Sequence, residues 1–357
     1  MIIALSNQKG GCGKTTTAIN MAAAFANLGK RTLLIDLDPQ GHAGYGLGLK
    51  SEQVELSMYN ALTERADRRR FLDSFIQPLY QNLDIAPSHI LLSTIEQECA
   101  DKEQAVNRLK SALEYLTFPY EMIIVDCPPS LGFLTFNALC ACDLIIVPVD
   151  LGAFSLMGVM KLLSMVELIR VKMKHVPEVY ALATMVDLRS HFANKMIQEV
   201  KEAFKDHIFE NFIHMNVATR EAQALGVPVR MHEPWVKASK DYDNLAKEIM
   251  ESFDITMSFT PLLTSDSNGR RVTVYDFSMN APEAKGVYVV GDFNNWTVND
   301  DSKCLSVGRG EWQRRLALTP GRYHYRFVID GKWTNDPTNQ QAEPNPFGGV
   351  DSILEIG

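Results

Sequence analysis

Up to residue 253 the chain alternates short apolar runs with longer stretches of helical period. The runs Ile2–Leu5, Thr32–Ile35, Met122–Val125, Leu144–Val149 and Tyr180–Val186 are nearly continuous. A strand that faces water on one side alternates in polarity, so unbroken runs fit a parallel sheet covered by helices on both faces. Between the first two runs, Lys14 to Leu28 is rich in alanine and closes at Gly29, a residue that readily ends a helix. Lys240–Phe253 is the last stretch of helical period. The pattern predicts an α/β fold with a mostly parallel sheet over residues 1–253.

After residue 253 the texture changes. Residues 254–271 contain Pro261 and a Thr-Ser-Asp-Ser-Asn-Gly run, which reads as a linker. Residues 272–357 alternate in polarity, carry turn pairs at Pro320-Gly321 and Asp330-Gly331, and predict a small all-β domain. Within it, alternation puts Tyr323, Tyr325, Phe327 and Ile329 on one face, the expected core, and His324, Arg326 and Val328 on the other.

Composition fits two soluble domains. The chain has 357 residues, 46% apolar and 22% charged, enough to bury a core in each. No run reaches the roughly 18–20 apolar residues of a membrane span. Met1-Ile-Ile-Ala-Leu leads directly into a glycine loop, without the basic and apolar segments of a secretory signal. The six cysteines (Cys12, Cys99, Cys127, Cys140, Cys142, Cys304) form no CxxC pair, so neither a zinc site nor a disulfide framework is expected. Cys140 and Cys142 read as small buried apolar residues. These features predict a cytoplasmic protein. The net charge is −8, so any nucleic-acid contact needs a local basic patch.

Between the first apolar run and the first helical stretch stands Lys9-Gly10-Gly11-Cys12-Gly13-Lys14-Thr15-Thr16. A glycine-rich string between strand and helix is the setting of a phosphate loop. Backbone N–H groups curl around phosphate oxygens there, and the helix N-terminus adds positive charge. Lys14 would reach the β- and γ-phosphates of ATP, and the Thr15 hydroxyl would ligate Mg²⁺. The strict G-x-x-x-x-G-K-[ST] pattern fails, because Gln8 stands at its first glycine and an extra lysine, Lys9, opens the loop. Asp36-Leu37-Asp38-Pro39-Gln40 and Asp126-Cys127-Pro128-Pro129-Ser130 each follow an apolar run. A lone aspartate there is usually a turn or cap residue. Two in a phosphate-loop domain, at strand ends where open α/β sheets bind ligands, read as ligands of Mg²⁺ and water.

The strings 7–16, 36–41 and 126–132 resemble the deviant Walker A, Walker A′ and Walker B/switch II motifs of ParA/MinD ATPases. The resemblance covers about residues 1–250 and is closest to short, Soj-like ParA members without an N-terminal helix-turn-helix. It implies slow, Mg²⁺-dependent hydrolysis of ATP in a homodimer formed on ATP binding. Gly10, Gly11, Cys12, Gly13, Lys14, Thr15 and Thr16 would hold the nucleotide, and Lys9 would reach the partner's phosphates. Asp38 would position the attacking water, with Thr15, Asp38 and Asp126 serving the Mg²⁺ shell. Pro129 and Ser130 would move with nucleotide state. Cys12 stands where the family most often has valine. A helix N-terminus lowers thiol pKa, which would make Cys12 a redox sensor; a small inert side chain is the plainer reading.

Short ParA proteins bind DNA nonspecifically through basic residues late in the ATPase domain. Asp187-Leu188-Arg189 resembles the segment carrying one DNA-contacting arginine. A second family arginine falls on Ala218, with Arg220 two residues on as a substitute. Acids are almost as frequent as bases in this region, so a mixed solvated surface competes with a DNA-binding one. A MinD-like membrane anchor would need an amphipathic C-terminal helix. Residues 247–259 instead carry Glu248, Glu251 and Asp254, and no membrane partner is expected. The resemblance further implies a ParB-like or cargo activator protein and a cytoplasmic, nucleoid-associated location.

Residues 287–296 and 323–333, followed by Asn335-Asp336-Pro337, resemble a family 48 carbohydrate-binding module, whose relatives include the glycogen-binding domain of AMP-activated kinase β-subunits. The resemblance spans about residues 270–357. It implies an immunoglobulin-like sandwich that binds an α-glucan such as glycogen. Sugars present apolar C–H faces rimmed by hydroxyls, so their sites pair aromatic platforms with polar groups. Trp296 and Trp333 match the platforms. Arg326 matches a lysine that bonds glucan hydroxyls, and Phe347 an apolar loop residue. Asp351 stands where the kinase module has asparagine. The competing reading buries both tryptophans in the core.

The whole reads as a P-loop ATPase domain (1–253), a linker (254–271) and a glucan-binding sandwich (272–357). The favoured function is an ATP-dependent organiser of DNA or cargo tethered to a glucan. A plain partition motor and a metabolic regulator that responds to glucan without DNA are the alternatives.

Overall fold

The computed structural model describes every residue except 51–53, 64, 66–68, 99–104, 117, 153–154, 188, 190, 256–263, 266–270, 300–301, 309, 340, 346–348 and 357. The chain divides into two compact units near residue 257.

The unbroken apolar runs become strands of the first unit: β1 (Ile2–Leu5), β2 (Thr32–Asp36), β5 (Met122–Asp126), β6 (Leu144–Asp150) and β7 (Glu178–Thr184). With β3 (Gln77–Tyr80) and β4 (Leu83–Ala86) they form a seven-stranded sheet in the order β3-β4-β2-β5-β1-β6-β7. All the pairings from β4 to β7 are parallel. β7 begins and ends two residues earlier than the apolar run predicts, and Val186 instead forms an isolated bridge with His214. β3 and β4 have no continuous apolar signature. β3 is an edge strand and tolerates Pro78, while Asp84 of β4 is buried because it accepts the Tyr120 hydroxyl at 2.6 Å.

Eleven helices occur among the described residues of this unit: α1 (Lys14–Asn27), α2 (His42–Tyr45), α3 (Met58–Leu62), α4 (Ile95–Glu98), α5 (Arg108–Glu114), α6 (Phe133–Ala141), α7 (Ser155–Met173), α8 (His191–Phe204), α9 (Val217–Ala224), α10 (Val229–His232) and α11 (Lys237–Ser252). α1 is buried along most of its length. Its alanines, Ala18, Ala22, Ala23, Ala24 and Ala26, let the helix lie close against the sheet and α11. α11 starts three residues before the predicted Lys240.

The second unit is a pair of antiparallel sheets. One runs β10 (Val287–Gly291), β13 (Gly321–Ile329), β16 (Val350–Ile356), β15 (Ala342–Pro344), with β14 (Lys332–Thr334) on β13. The other runs β11 (Leu305–Gly308), β12 (Glu311–Leu318), β9 (Arg271–Asn280), β8 (Thr264–Ser265). Phe277, Met279, Val287, Val289, Tyr325, Phe327 and Leu354 from the two sheets share one buried core. Alternation places Tyr325 and Phe327 inside as predicted. Val328 is also buried, at 3% exposure, because Tyr288 and Trp333 flank it across its two pairings.

In the first unit the α9–α10 loop meets the segment after α2 backbone to backbone. Gly226 has φ +70°, and a Cβ there would lie 2.8 Å from Gly48 Cα and 2.9 Å from Gly48 N. Gly226→Ala should therefore cost about 2–4 kcal/mol, read as a lowered denaturation midpoint. Gly10→Ala, with no atom within 4 Å of its Cβ and no positive φ, should cost less than about 1 kcal/mol.

Candidate nucleotide and glucan sites

The C-terminal ends of β1, β2, β5, β6 and β7 open on one edge of the first sheet, and the candidate chemistry gathers there. After β1 the loop turns into α1 through Gly11 and Gly13, at φ +74° and +88°. A Cβ on Gly10 or Gly11 would meet nothing within 4 Å, so the loop presents bare backbone. Gly13 caps α1 without a side-chain bond, which leaves first-turn N–H groups able to meet an anion. Lys14 is buried and donates from Nζ to the Lys9 carbonyl at 3.0 Å.

Asp36 and Asp126 end adjacent strands in register, both fully buried. Asp36 is satisfied, accepting backbone N–H groups of Asp38 (3.1 Å), Ala43 (3.0 Å) and Gly44 (3.1 Å). Asp126 is not: neither of its oxygens has a hydrogen-bond partner of good geometry. Burial and then Asp36 push its carboxyl well above the ordinary range, against smaller downward pulls from the nearby Thr15 hydroxyl and Lys14. Burial, with Asp38, raises Asp36 as well. Asp38 is also buried; its carboxylate accepts Gln40 N–H at 3.0 Å, and its carbonyl the Ser88 hydroxyl at 2.5 Å. A divalent cation held by Thr15, Asp38 and Asp126 would relieve this concentration of like charge, so the residues present fit Mg²⁺.

Lys9 is paired within its own chain. Its Nζ donates to both oxygens of Asp150, at 2.8 and 2.5 Å. The start of the loop is fixed by Asn7, whose Nδ2 donates to Pro148 O at 2.7 Å and whose Oδ1 accepts Lys9 N–H at 3.1 Å. Gly158 of α7 lets that helix come close, since a Cβ there would lie 3.0 Å from Asn7 Oδ1. Thr184 Oγ1 donates to Cys12 O at 2.8 Å, and Gln223 Nε2 to Thr16 Oγ1 at 2.8 Å. Asp150, Thr184 and Gln223 are 141, 172 and 207 residues from these partners, so no local pattern marks them. Pro129 and Ser130 are exposed just past Asp126, and the Ser130 carbonyl accepts the Thr135 hydroxyl at 2.6 Å.

In the second unit Trp296 and Trp333 come together, with ring centroids 6.3 Å apart and planes at 33°. Trp333 is 42% exposed and Trp296 half-buried, so neither belongs to the core. The Arg326 guanidinium lies 5.9 Å from the Trp333 ring centroid, and its Nη2 donates to Trp333 O at 3.1 Å. Asp351 is buried rather than presented to solvent. It accepts Asn345 Nδ2 at 2.7 Å and stands 4.0 Å from Arg326 Nε. Phe347 lies outside the described residues.

Residues 1–178 match the family described as AAA domain, and residues 275–357 the family described as the glycogen recognition site of AMP-activated protein kinase. The sporulation initiation inhibitor protein Soj of Bacillus subtilis is 40% identical over 252 residues, 70% of this chain and 97% of that protein. The chromosome partitioning protein ParA of Myxococcus xanthus is 37% identical over 257 residues, 70% of this chain and 88% of that one. The chain belongs to the ParA/Soj family of ATPases. Among solved structures, cobyrinic acid a,c-diamide synthase of Mycobacterium smegmatis, with bound ATP analog and magnesium, is similar at a TM-score of 0.61 and 25% identity, covering 71% of this chain and 95% of that one.

Where the ParA/Soj resemblance leads one to expect DNA contacts, part of the positive charge is already paired. Arg189, 90% exposed, folds back on Asp187, with Nε and Nη2 donating to its oxygens at 2.8 and 2.7 Å. Those bonds hold the Asp187 carboxyl down at about 2. Lys195 pairs with Glu199 and Arg230 with Asp243. Ala218 is buried, Arg220 is exposed, and Met215 and Val217 are exposed apolar neighbours. Among the described residues, no helix is long and apolar enough to cross a membrane.

Cys12 is fully buried and its Sγ donates to Lys9 O at 3.2 Å. Burial pushes its thiol pKa up, and Lys14 offsets this only in part. Burial and the bond to Lys9 O favour the plainer reading of a small inert side chain over a redox sensor. Since the thiolate is the nucleophile, Cys12 in the folded protein should alkylate at least about tenfold more slowly than in the urea-unfolded chain near neutral pH. Peptide mass spectrometry after brief iodoacetamide treatment measures this; equal rates would restore the sensor.

Proposed function

We propose that this ATPase hydrolyses Mg²⁺-ATP as a dimer and positions a cargo, with its C-terminal module holding an α-glucan. The proposed division is an ATPase domain over 1–253, a linker over 254–271 and a glucan module over 272–357. The orphaned, buried carboxylate of Asp126 beside Thr15 and Lys14 carries the nucleotide half of the reading. Lys14 and the N–H groups of residues 10–16 would cradle the phosphates, and Asp38 would orient the attacking water. Bound Mg²⁺, held by Thr15, Asp38 and Asp126, supplies neutralisation of phosphate charge. Lys9 would leave Asp150 to reach phosphates bound by a second copy, which ties dimerisation to nucleotide. Pro129 and Ser130 would report the nucleotide state.

The tilted, accessible tryptophan pair supports a curved α-glucan such as glycogen over a flat sugar chain. Arg326 would add hydrogen bonds to sugar hydroxyls. The cargo would be DNA, gripped through Arg189 and Arg220, or another load delivered by a ParB-like activator, in a cytoplasmic and nucleoid-associated setting. The self-paired Arg189 and the alanine at 218 favour a second reading, a metabolic regulator whose ATPase state responds to glucan without DNA.

Asp126→Asn removes a buried carboxyl that has no hydrogen-bond partner of good geometry. It should leave the melting temperature without ligand unchanged or higher, while abolishing the rise on adding Mg²⁺ and ATP and lowering ATPase activity about 100-fold. Retained Mg²⁺-dependent stabilisation would remove Asp126 from the site. Wild type should be retained on glycogen, and the Trp296→Ala, Trp333→Ala double variant released. Equal retention of the two would sink the platform assignment. Under the second reading glycogen, and not DNA, changes the ATPase rate.

A further inference from the structure

Trp296 stands on strained backbone. It and Asn295 have φ of +58° and +52°, the left-handed region that residues with a Cβ avoid. Such strain persists only where surroundings over-determine it. Here Asn294 Oδ1 accepts Gly291 N–H at 3.0 Å, its Nδ2 donates to Val289 O at 3.3 Å and Thr297 O at 3.4 Å, and Trp296 N–H donates to Gly291 O at 3.0 Å. Gly291 has no room for a side chain, since a Cβ would collide with the His324 carbonyl.

A side-chain relay then fixes the ring itself. The Trp296 indole N–H donates to Asp292 Oδ1 at 3.0 Å. Asp292 Oδ2 accepts the His324 backbone N–H at 2.7 Å and lies 3.0 Å from His324 Nδ1. Partial burial pushes the Asp292 carboxyl up, but the bonds from His324 and Trp296 outweigh it and hold the group below its ordinary range. His324 Nε2 is 3.5 Å from Glu343, which is itself paired with Arg322. Two residues along the same face of β13, Arg326 bonds the Trp333 carbonyl and lies over its ring. Both tryptophans are thus referenced to one strand, Trp296 through Asp292 and His324, Trp333 through Arg326.

We propose that Asp292 and His324 are positioning residues of the glucan site, fixing the Trp296 ring and its tilt to Trp333 before sugar arrives. The inference rests on the glucan reading above. A ring already held in place loses little rotamer freedom on binding, so affinity is gained without any contact between these residues and the sugar.

The test uses the full chain and measures affinity for maltoheptaose and retention on glycogen. Asp292→Ala should weaken binding about tenfold, the loss expected of one net charge-assisted hydrogen bond. Asp292→Asn, which keeps an acceptor for only one of the two partners, should fall between Ala and wild type. Trp296→Phe, which keeps a platform but has no N–H, should weaken binding to a similar extent, and combining it with Asp292→Ala should add little more. In the absence of sugar, Asp292→Ala should also move the indole N–H resonance of Trp296, assigned by its loss in Trp296→Phe. Wild-type retention that Trp296→Ala abolishes establishes the glucan reading independently. With that in hand, wild-type affinity in Asp292→Ala, an unmoved resonance or fully additive losses in the double variant would each overturn the positioning role. Failure of wild type to bind would remove the glucan reading itself, even with the resonance shifted.

Discussion

Two carboxylates ending neighbouring strands at the same level inside a protein repel each other, and water is not there to screen them. Asp36 and Asp126 are in that position. The chain settles Asp36 by turning three backbone N–H groups onto it from the segment after β2 and the start of α2. It leaves Asp126 without a hydrogen-bond partner of good geometry. Much of the first unit can be understood as bringing positive potential to that point. The alanine face of α1 lets the helix run close under the sheet, its N-terminus and Lys14 arrive beside the carboxylates, and the glycines of the loop keep side chains out of the way. A buried charge of this kind costs stability unless it is compensated, so its retention marks a place where function outweighs stability.

The second unit solves a milder problem by a similar device. The proposed aromatic platform would face water, where little packing holds it, and would still have to keep one orientation. Strand β13 supplies the reference. Its inward residues Tyr325 and Phe327 anchor it in the core, while His324 and Arg326 on its outer face reach the two tryptophans' surroundings. In both units the candidate chemistry stands on what projects from a hydrogen-bonded strand network.

The nucleotide loop was legible because every cue is local: an apolar strand, a glycine string, Lys14 and a helix with a clean start. The strand-end aspartates were legible for the same reason. Asp150, Thr184 and Gln223 were not, since each acts on the loop from far away in sequence. β3 and β4 were missed because an edge strand and a strand with a satisfied buried aspartate lack an unbroken apolar run. Alternation in 323–329 predicted the core face correctly and misjudged Val328, whose cover comes from neighbouring strands. The fork between Arg189 and Asp187 was within reach of sequence reasoning, because the two residues are only two apart. Reading charge by count rather than by pairing concealed it. Cys12 is buried, as the plainer reading of a small inert side chain expects, and its depth is what the helix-terminus rule alone does not supply.

The Lys9–Asp150 pair has a consequence for stoichiometry. Under the proposed role of Lys9 in a symmetric assembly of two chains, each lysine would first let go of its own aspartate, so the strength of that contact would enter the association constant twice. Weakening it by a factor of about ten would strengthen association about a hundredfold, because free energies of the two releases add. Salt, or any ligand that draws Asp150 away, acts with the same squared weight. On that proposal, a contact confined to one chain would set how sharply the number of paired chains responds to conditions.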